Sequence, residues 1–338
     1  MSQDALEEAR RHREVLERLS GPDGPLQPNS RYATVNDPEH FSAGHPRPER
    51  AELHNDIIQD FFQDHPDAAK NREALVMAGP PGAGKSTVSD EVIASSGGQP
   101  EQWIPISADD FKTRLLERAA SDGSLERMVP SEISSLEASG EKFFPYDYSD
   151  LVHSESVMLA QRATRQAVEE GYNVVIDGTL SSEDKASGLV QRLDEAGYTV
   201  SIASVDTTAG IATERANARY DQGYAAAVDA APGTPESLGG RWLPPEAISG
   251  LYESPESESS RCTEVARKVH ENNAEVTTLE EYRVSGTDAA PVKAESPLGA
   301  SAENAGPAPP SATAPPPPNE EPPPAAAPAD SPPEPVPH

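Results

Sequence analysis

The sequence predicts a three-layer α/β fold, with a parallel sheet covered by helices on both faces and a disordered C-terminal tail. Three observations carry that expectation. Short apolar runs alternate with helical patterns through the middle of the chain. A glycine-rich stretch, "GPPGAGKST" at residues 79–87, lies between the first such run and the helical pattern that follows it. From about Gly286 the composition shifts to Ala, Pro, Glu and Ser, with runs such as "APPPPNEEPPPAAAP" that have few apolar side chains to offset the entropy of ordering.

Taken in order, residues 3–19 suit a charged helix with a thin apolar stripe of Leu6, Ala9, Leu16 and Leu19. The Pro- and Gly-rich stretch after it reads as an extended arm. A helix is expected from about Pro48 to Gln63, since Pro in the first turn gives up an N–H that has no intrahelical partner. "ALVMAG", "WIPIS", "NVVID", "TVSIASVD" and "AEVTTL" are the buried-strand candidates. Between them, "KSTVSDEVIASSGG" reads as a helix stopped by paired glycines. Two further helices present Val157, Ala160, Thr164, Ala167 and Val168, then Ala186, Leu189, Val190, Leu193 and Ala196. Strands alternating with helices place ligands at the carboxyl ends of the strands, where the glycine-rich loop, Asp109, Asp177 and Asp206 all fall.

Composition sets bounds on partners and location. The 338 residues carry a formal net charge of −30, which disfavours a nucleic-acid substrate, because phosphate-backbone binding works through Lys and Arg. Cys262 is the single cysteine, so the chain forms no internal disulfide and suits a reducing compartment. The N-terminal residues are charged throughout, and no apolar run is long enough to span a bilayer. The expectation is a soluble, cytoplasmic protein with no membrane association.

Gly79, Gly84, Lys85 and Ser86 have the spacing of a phosphate-binding loop, with Pro80, Pro81, Gly82, Ala83 and Thr87 completing the segment. Backbone N–H groups of such a loop curl around phosphates, Lys85 reaches the outer ones, and the Ser86 hydroxyl ligates magnesium (Mg2+). In "SADDFKTR", Asp109 either takes a proton from an attacking hydroxyl, holds the metal, or with Asp110 caps the following helix. Asp177 in "NVVIDGTL" is a metal-holding acid, a substrate-binding carboxylate or a turn former. Arg215 and Arg219 share a helix face, and Arg241 follows a Pro- and Gly-rich excursion. Arginines there can stabilise charge on a transferring phosphoryl group. His153 and Glu155 in "VHSES" have no common metal-site spacing.

In their order these motifs resemble the zeta toxins, P-loop kinases of toxin–antitoxin systems that phosphorylate UDP-N-acetylglucosamine. The resemblance runs from about Ala74 to Leu279, about 60 % of the chain. "GPPGAGKST" matches the family loop. "DDFK" looks like its D-x-F-[KR] segment, which implies that Asp109 is the general base toward the sugar hydroxyl. "GYNVVIDGT" is similar to a family segment in which Glu is frequent where Asp177 stands. "ARYDQGY" and "GRWLPPEAI" match the segments that supply two phosphate-clamping arginines, here Arg219 and Arg241. "VHSES" resembles a His-x-Glu pattern whose acid contacts the sugar nucleotide. Where several toxins carry an arginine just after the Gly-Thr, this chain has Leu180 and Ser181. Either Lys185 or Arg215 substitutes, or the clamp has one charge fewer.

The resemblance implies a P-loop kinase-like core over residues 48–284, an N-terminal helix and extended arm over 1–47, and a tail over 285–338. It implies ATP or GTP as donor with Mg2+, and a sugar-nucleotide acceptor oriented by Asp110, His153, Glu155, Asp177 and Thr179. An antitoxin protein is the expected partner. Two other readings fit the same motifs: a kinase of an antibiotic, a nucleotide or NAD, and a nucleotide-hydrolysing switch whose tail recruits partners.

Overall fold

A computed structural model describes residues 2–294. The tail expected over 285–338 lies outside the described residues from 295 onward. The elements in chain order are α1 (Gln3–Ser20), a small hairpin of β1 (Phe41–Ser42) and β2 (His45–Pro46), α2 (Pro48–Gln63), β3 (Glu73–Ala78), α3 (Lys85–Ser95), β4 (Ile104–Ile106) and α4 (Ala108–Asp122). The short helices α5 (Leu125–Met128) and α6 (Ser131–Ala138) precede α7 (His153–Glu170), β5 (Val174–Asp177), α8 (Glu183–Glu195) and β6 (Thr199–Asp206). Then come α9 (Ala209–Val228), α10 (Pro245–Ser249), α11 (Arg261–Asn272), β7 (Val276–Arg283) and β8 (Val292–Lys293).

The main sheet has six strands in the order β4-β5-β3-β6-β7-β8. All neighbours are parallel except β7 and β8, which pair antiparallel. The five strands expected from the apolar runs are all present. Alternation along β3 feeds both faces of the sheet. Leu75 and Met77 pack with Val88 and Ile93 of α3, while Ala74, Val76 and Ala78 join the larger core with Phe111, Leu159 and Leu193. Each large side chain buried this way stabilises the fold by about 1.5–3 kcal/mol.

Three features depart from the sequence reading. β8 extends the sheet past the boundary expected at 284: the chain turns and pairs Val292 and Lys293 with Arg283 and Tyr282. Two residues are too short a run for periodicity to reveal a strand, so only the ladder defines it. The N-terminal helix expected over 3–19 is present as α1, but no extended arm follows it. α1 packs against α9, and Ala9, His12, Leu16 and Leu19 are buried. The residues after it fold into turns and the β1–β2 hairpin. Finally, the most buried face of α7 is Leu159, Ala163 and Ala167; of the expected face only Ala167 is fully buried, while Ala160 and Val168 pack at the core's edge. The buried face also carries Glu155, a residue that no apolar count would place inside.

Candidate active site

The loop after β3 is held open by its own backbone. Gly79 has φ 147° and Gly82 has φ 82°, values that L side chains rarely adopt. A Cβ at Gly79 would stand 2.3 Å from the Val205 carbonyl oxygen, so β6 passes too close for any side chain. The Gly79 N–H donates to the Thr179 carbonyl at 3.2 Å, tying the loop to the turn after β5. Lys85 starts α3 and donates to the carbonyls of Gly79 at 3.2 Å and Pro80 at 3.5 Å. Its ammonium also lies 3.7 Å from Asp177. Ser86 faces the crevice, whereas Pro80 and Ala83 are buried behind it and Thr87 does not line it.

The crevice has a volume of about 700 Å³ and is bounded by this loop, the start of α4, the start of α7, the turn after β5, α9 and the segment at Arg241–Leu243. It gathers Lys85, Ser86, Asp109, Lys112, His153, Asp177, Thr179, Arg215, Arg219 and Arg241. All of these but Lys112 were named from the sequence, Arg215 as one of two substitutes for the missing arginine. Lys185, the other substitute for the missing arginine, is exposed on α8 and outside the crevice.

Asp109 does not spend its carboxylate on capping. Ser107 is the N-cap of α4, and its hydroxyl accepts the Asp110 N–H at 3.1 Å. The Asp109 side chain is 56 % exposed to the crevice and 3.5 Å from Lys112. Desolvation pushes its pKa up, but Lys112, Arg241 and Arg219 together outweigh this and hold the carboxyl below its ordinary value. It therefore stays ionised, able to accept a proton. Asp177 moves the other way: desolvation and the charge of Asp109 raise it against the pull of Lys85. Burial, with Lys112, lowers the His153 imidazole and keeps it neutral.

Arg241 is aimed by its neighbours. It donates to the Thr113 hydroxyl at 3.2 Å and lies 5.3 Å over the Tyr146 ring, whose own hydroxyl meets Thr113 at 2.9 Å. Backbone contact brings this segment against α9, since a Cβ at Gly240 would sit 2.2 Å from the Tyr220 carbonyl. A larger residue there would force the arginine away from Arg219.

Three expected residues are placed elsewhere. Asp110 pairs with Arg114 at 2.9 Å, outside the crevice. Glu155 is fully buried and accepts from Arg50 at 2.5 and 2.7 Å, with His54 at 2.6 Å. Asp206 accepts from the backbone N–H groups of Thr207 and Ser260, both at 3.0 Å, and from the Ser259 hydroxyl, fastening the start of α11. Arg215 and Lys112 were visible in the motifs as an i, i+4 partner and as the last letter of "DDFK", but neither spacing says which side chain turns inward.

Among the described residues, no helix is long and apolar enough to cross a membrane. No curated protein matches the chain. Among solved structures it is similar to the PezAT toxin–antitoxin system of Streptococcus pneumoniae, at 16 % identity and TM-score 0.44, over 73 % of this chain and 80 % of that one. It is also similar to the AvrRxo1-ORF1–AvrRxo1-ORF2 complex with ATP, at 17 % identity and TM-score 0.46, over 74 % of this chain and 68 % of that one. The family model described as Zeta toxin matches residues 58–279, more than half of the chain and the whole span from β3 to the middle of β7. With a phosphate-binding loop facing an ionised aspartate and paired arginines across one crevice, this chain belongs to the zeta toxin family.

Proposed function

We propose that the chain is a zeta-type toxin kinase that moves the γ-phosphoryl group of ATP or GTP onto a hydroxyl of a sugar nucleotide, UDP-N-acetylglucosamine. The observation that carries this reading is the charge gathered in the crevice. Five cationic side chains, Lys85, Lys112, Arg215, Arg219 and Arg241, stand there with two carboxylates, Asp109 and Asp177. The chain as a whole has a net charge of −30, so this positive island suits two anionic ligands, a nucleoside triphosphate and a diphosphate-bearing acceptor.

The loop amides and Lys85 hold the β- and γ-phosphates. Asp109 accepts the proton of the acceptor hydroxyl as its oxygen bonds to the γ-phosphorus. The bond from that phosphorus to the bridging oxygen breaks, and the nucleoside diphosphate leaves. Arg219 and Arg241 balance the charge that spreads over the transferring oxygens. The Ser86 hydroxyl and Asp177 carboxylate are hard oxygen donors of the kind that suit Mg2+, which when bound neutralises phosphate charge. His153 and Thr179 orient the acceptor, and the neutral imidazole suits an uncharged sugar face. Most of the acceleration comes from positioning and electrostatics. A toxin of this kind has an antitoxin protein as its partner.

The test is a mass-spectrometric screen with ATP or GTP, Mg2+ and a panel of sugar nucleotides, antibiotics, nucleosides and NAD. The expected result is one added phosphate on UDP-N-acetylglucosamine, absent with Asp109→Ala, which still binds nucleotide. Phosphate on a different acceptor would replace the substrate. Hydrolysis with no phosphorylated product, or near-normal turnover by Asp109→Ala, would defeat the mechanism.

A further inference from the structure

Arg215 and Arg219 are one helical turn apart on α9 and line the same crevice, but they have different neighbours. Arg219 is within electrostatic reach of Arg241 and Asp109, the groups assigned to the transferring phosphoryl. Arg215 leans on the glycine-rich loop instead: its Nη1 is 3.8 Å from the position a Cβ on Gly84 would take. Gly84 is the N-cap of the 11-residue helix α3, whose first residues line the same crevice and whose first amides have no intrahelical partner. The Nη1 atom is buried and has no hydrogen-bond partner among the described residues. A buried cationic donor left unpaired is costly, so such a group at a helix N-terminus calls for an anion that the described residues do not supply.

We propose that Arg215 binds the diphosphate portion of the donor nucleotide, the part retained in ADP, and not the phosphoryl group in transit. The identity of the donor rests on the kinase reading above. Arg215 is then a donor-binding residue, distinct in role from the Arg219–Arg241 pair. It acts on ground state and transition state alike, because the β-phosphate stays on the loop throughout.

The full chain is titrated calorimetrically with Mg-ADP and with Mg-β,γ-imido-ATP, beside Arg215→Met and Arg215→Lys, and each protein is melted without nucleotide. Arg215→Met is expected to weaken both nucleotides alike, by about 10- to 100-fold, with Arg215→Lys recovering part of the loss. In turnover assays the loss falls on donor KM more than on kcat. The melting temperature without nucleotide is not lowered, because methionine keeps the aliphatic packing and removes the unpaired N–H. Unchanged ADP affinity in Arg215→Met, loss confined to the triphosphate analogue, or a lowered melting temperature would each overturn the assignment. A wild-type chain that binds neither nucleotide overturns it together with the kinase reading. If the wild type binds ADP but phosphorylates no acceptor, only the transfer reading falls, and an Arg215-dependent ADP affinity still upholds the assignment.

Discussion

Asp150 is 9 % exposed and within electrostatic reach of Lys112 and Asp109. Burial, helped by Asp109 and opposed by Lys112, pushes its carboxyl up to about 6. A carboxyl raised in the folded state binds protons more tightly there than in the unfolded chain, so it costs stability above about pH 6 and the cost fades as pH falls toward the ordinary aspartate range. Asp150→Asn is therefore expected to raise the melting temperature at about pH 7.5, by the equivalent of about 2 kcal/mol, and to merge with wild type near about pH 4. A lowered melting temperature at neutral pH would mean that Lys112 holds Asp150 ionised. At this scale the glycine-rich loop and the place of Asp109 at the crevice were legible in the sequence, because both follow directly from where a strand ends. Asp110 was not separable from Asp109 until Ser107 took the cap.

Glu155 locks one element to another. It sits at the start of α7, and its partners Arg50 and His54 are on α2. Desolvation alone would raise its pKa, but hydrogen bonds from His54 and Arg50 prevail and bring it down to about 2. The stabilisation from this depressed carboxyl is present above its unfolded pKa and is lost as pH falls toward about 2. Glu155→Gln leaves the Arg50 charge buried without a counterion and is expected to cost about 3–5 kcal/mol in denaturant unfolding at neutral pH. A loss under about 1 kcal/mol would show that packing, not the ion pair, joins the two helices. Glu155 lies outside the crevice, so ADP affinity should survive in the folded fraction. The same ion pair explains why the buried face of α7 was misread. A helix that turns a carboxylate inward to meet an arginine 105 residues away does not follow its own apolar count.

On the scale of the whole molecule, α1 precedes the family-matched residues 58–279 yet braces the site. Arg13 pairs with Asp221 of α9 at 2.7 Å, and Trp242, next to Arg241, donates its indole N–H to Ser20 at 3.1 Å. His12 is buried between Glu141 at 2.5 Å and Asp147 at 3.3 Å, with Phe143 and Tyr224 against its ring. Asp147 in turn accepts from Tyr220 at 3.0 Å, and Tyr224 meets Glu8 at 3.4 Å. Burial lowers the imidazole pKa, but the two carboxylates more than offset it and the net shift is upward. The stability from a histidine raised in this way is fully present below its unfolded pKa, about 6.5, and is lost as pH rises through the higher folded value. Wild-type melting temperature should thus fall as pH rises above about 6.5, and His12→Gln should flatten that slope while lowering stability by about 1–3 kcal/mol at about pH 6. An unchanged slope would remove His12 from the brace.

The sequence by itself determined the alternation of strands and helices, the phosphate-binding loop between β3 and α3, and the family, because each is written in residues close together along the chain. Only the tertiary structure decided that α1 and β8 belong to the described fold, that Glu155 and Asp206 fasten helices outside the crevice, and that Arg215, not Lys185, enters it. Those outcomes depend on partners up to 222 residues apart, such as Ser20 and Trp242. Local spacing cannot encode such pairings, because which charge finds which counter-charge is settled only when the layers pack and desolvation makes every unpaired group costly.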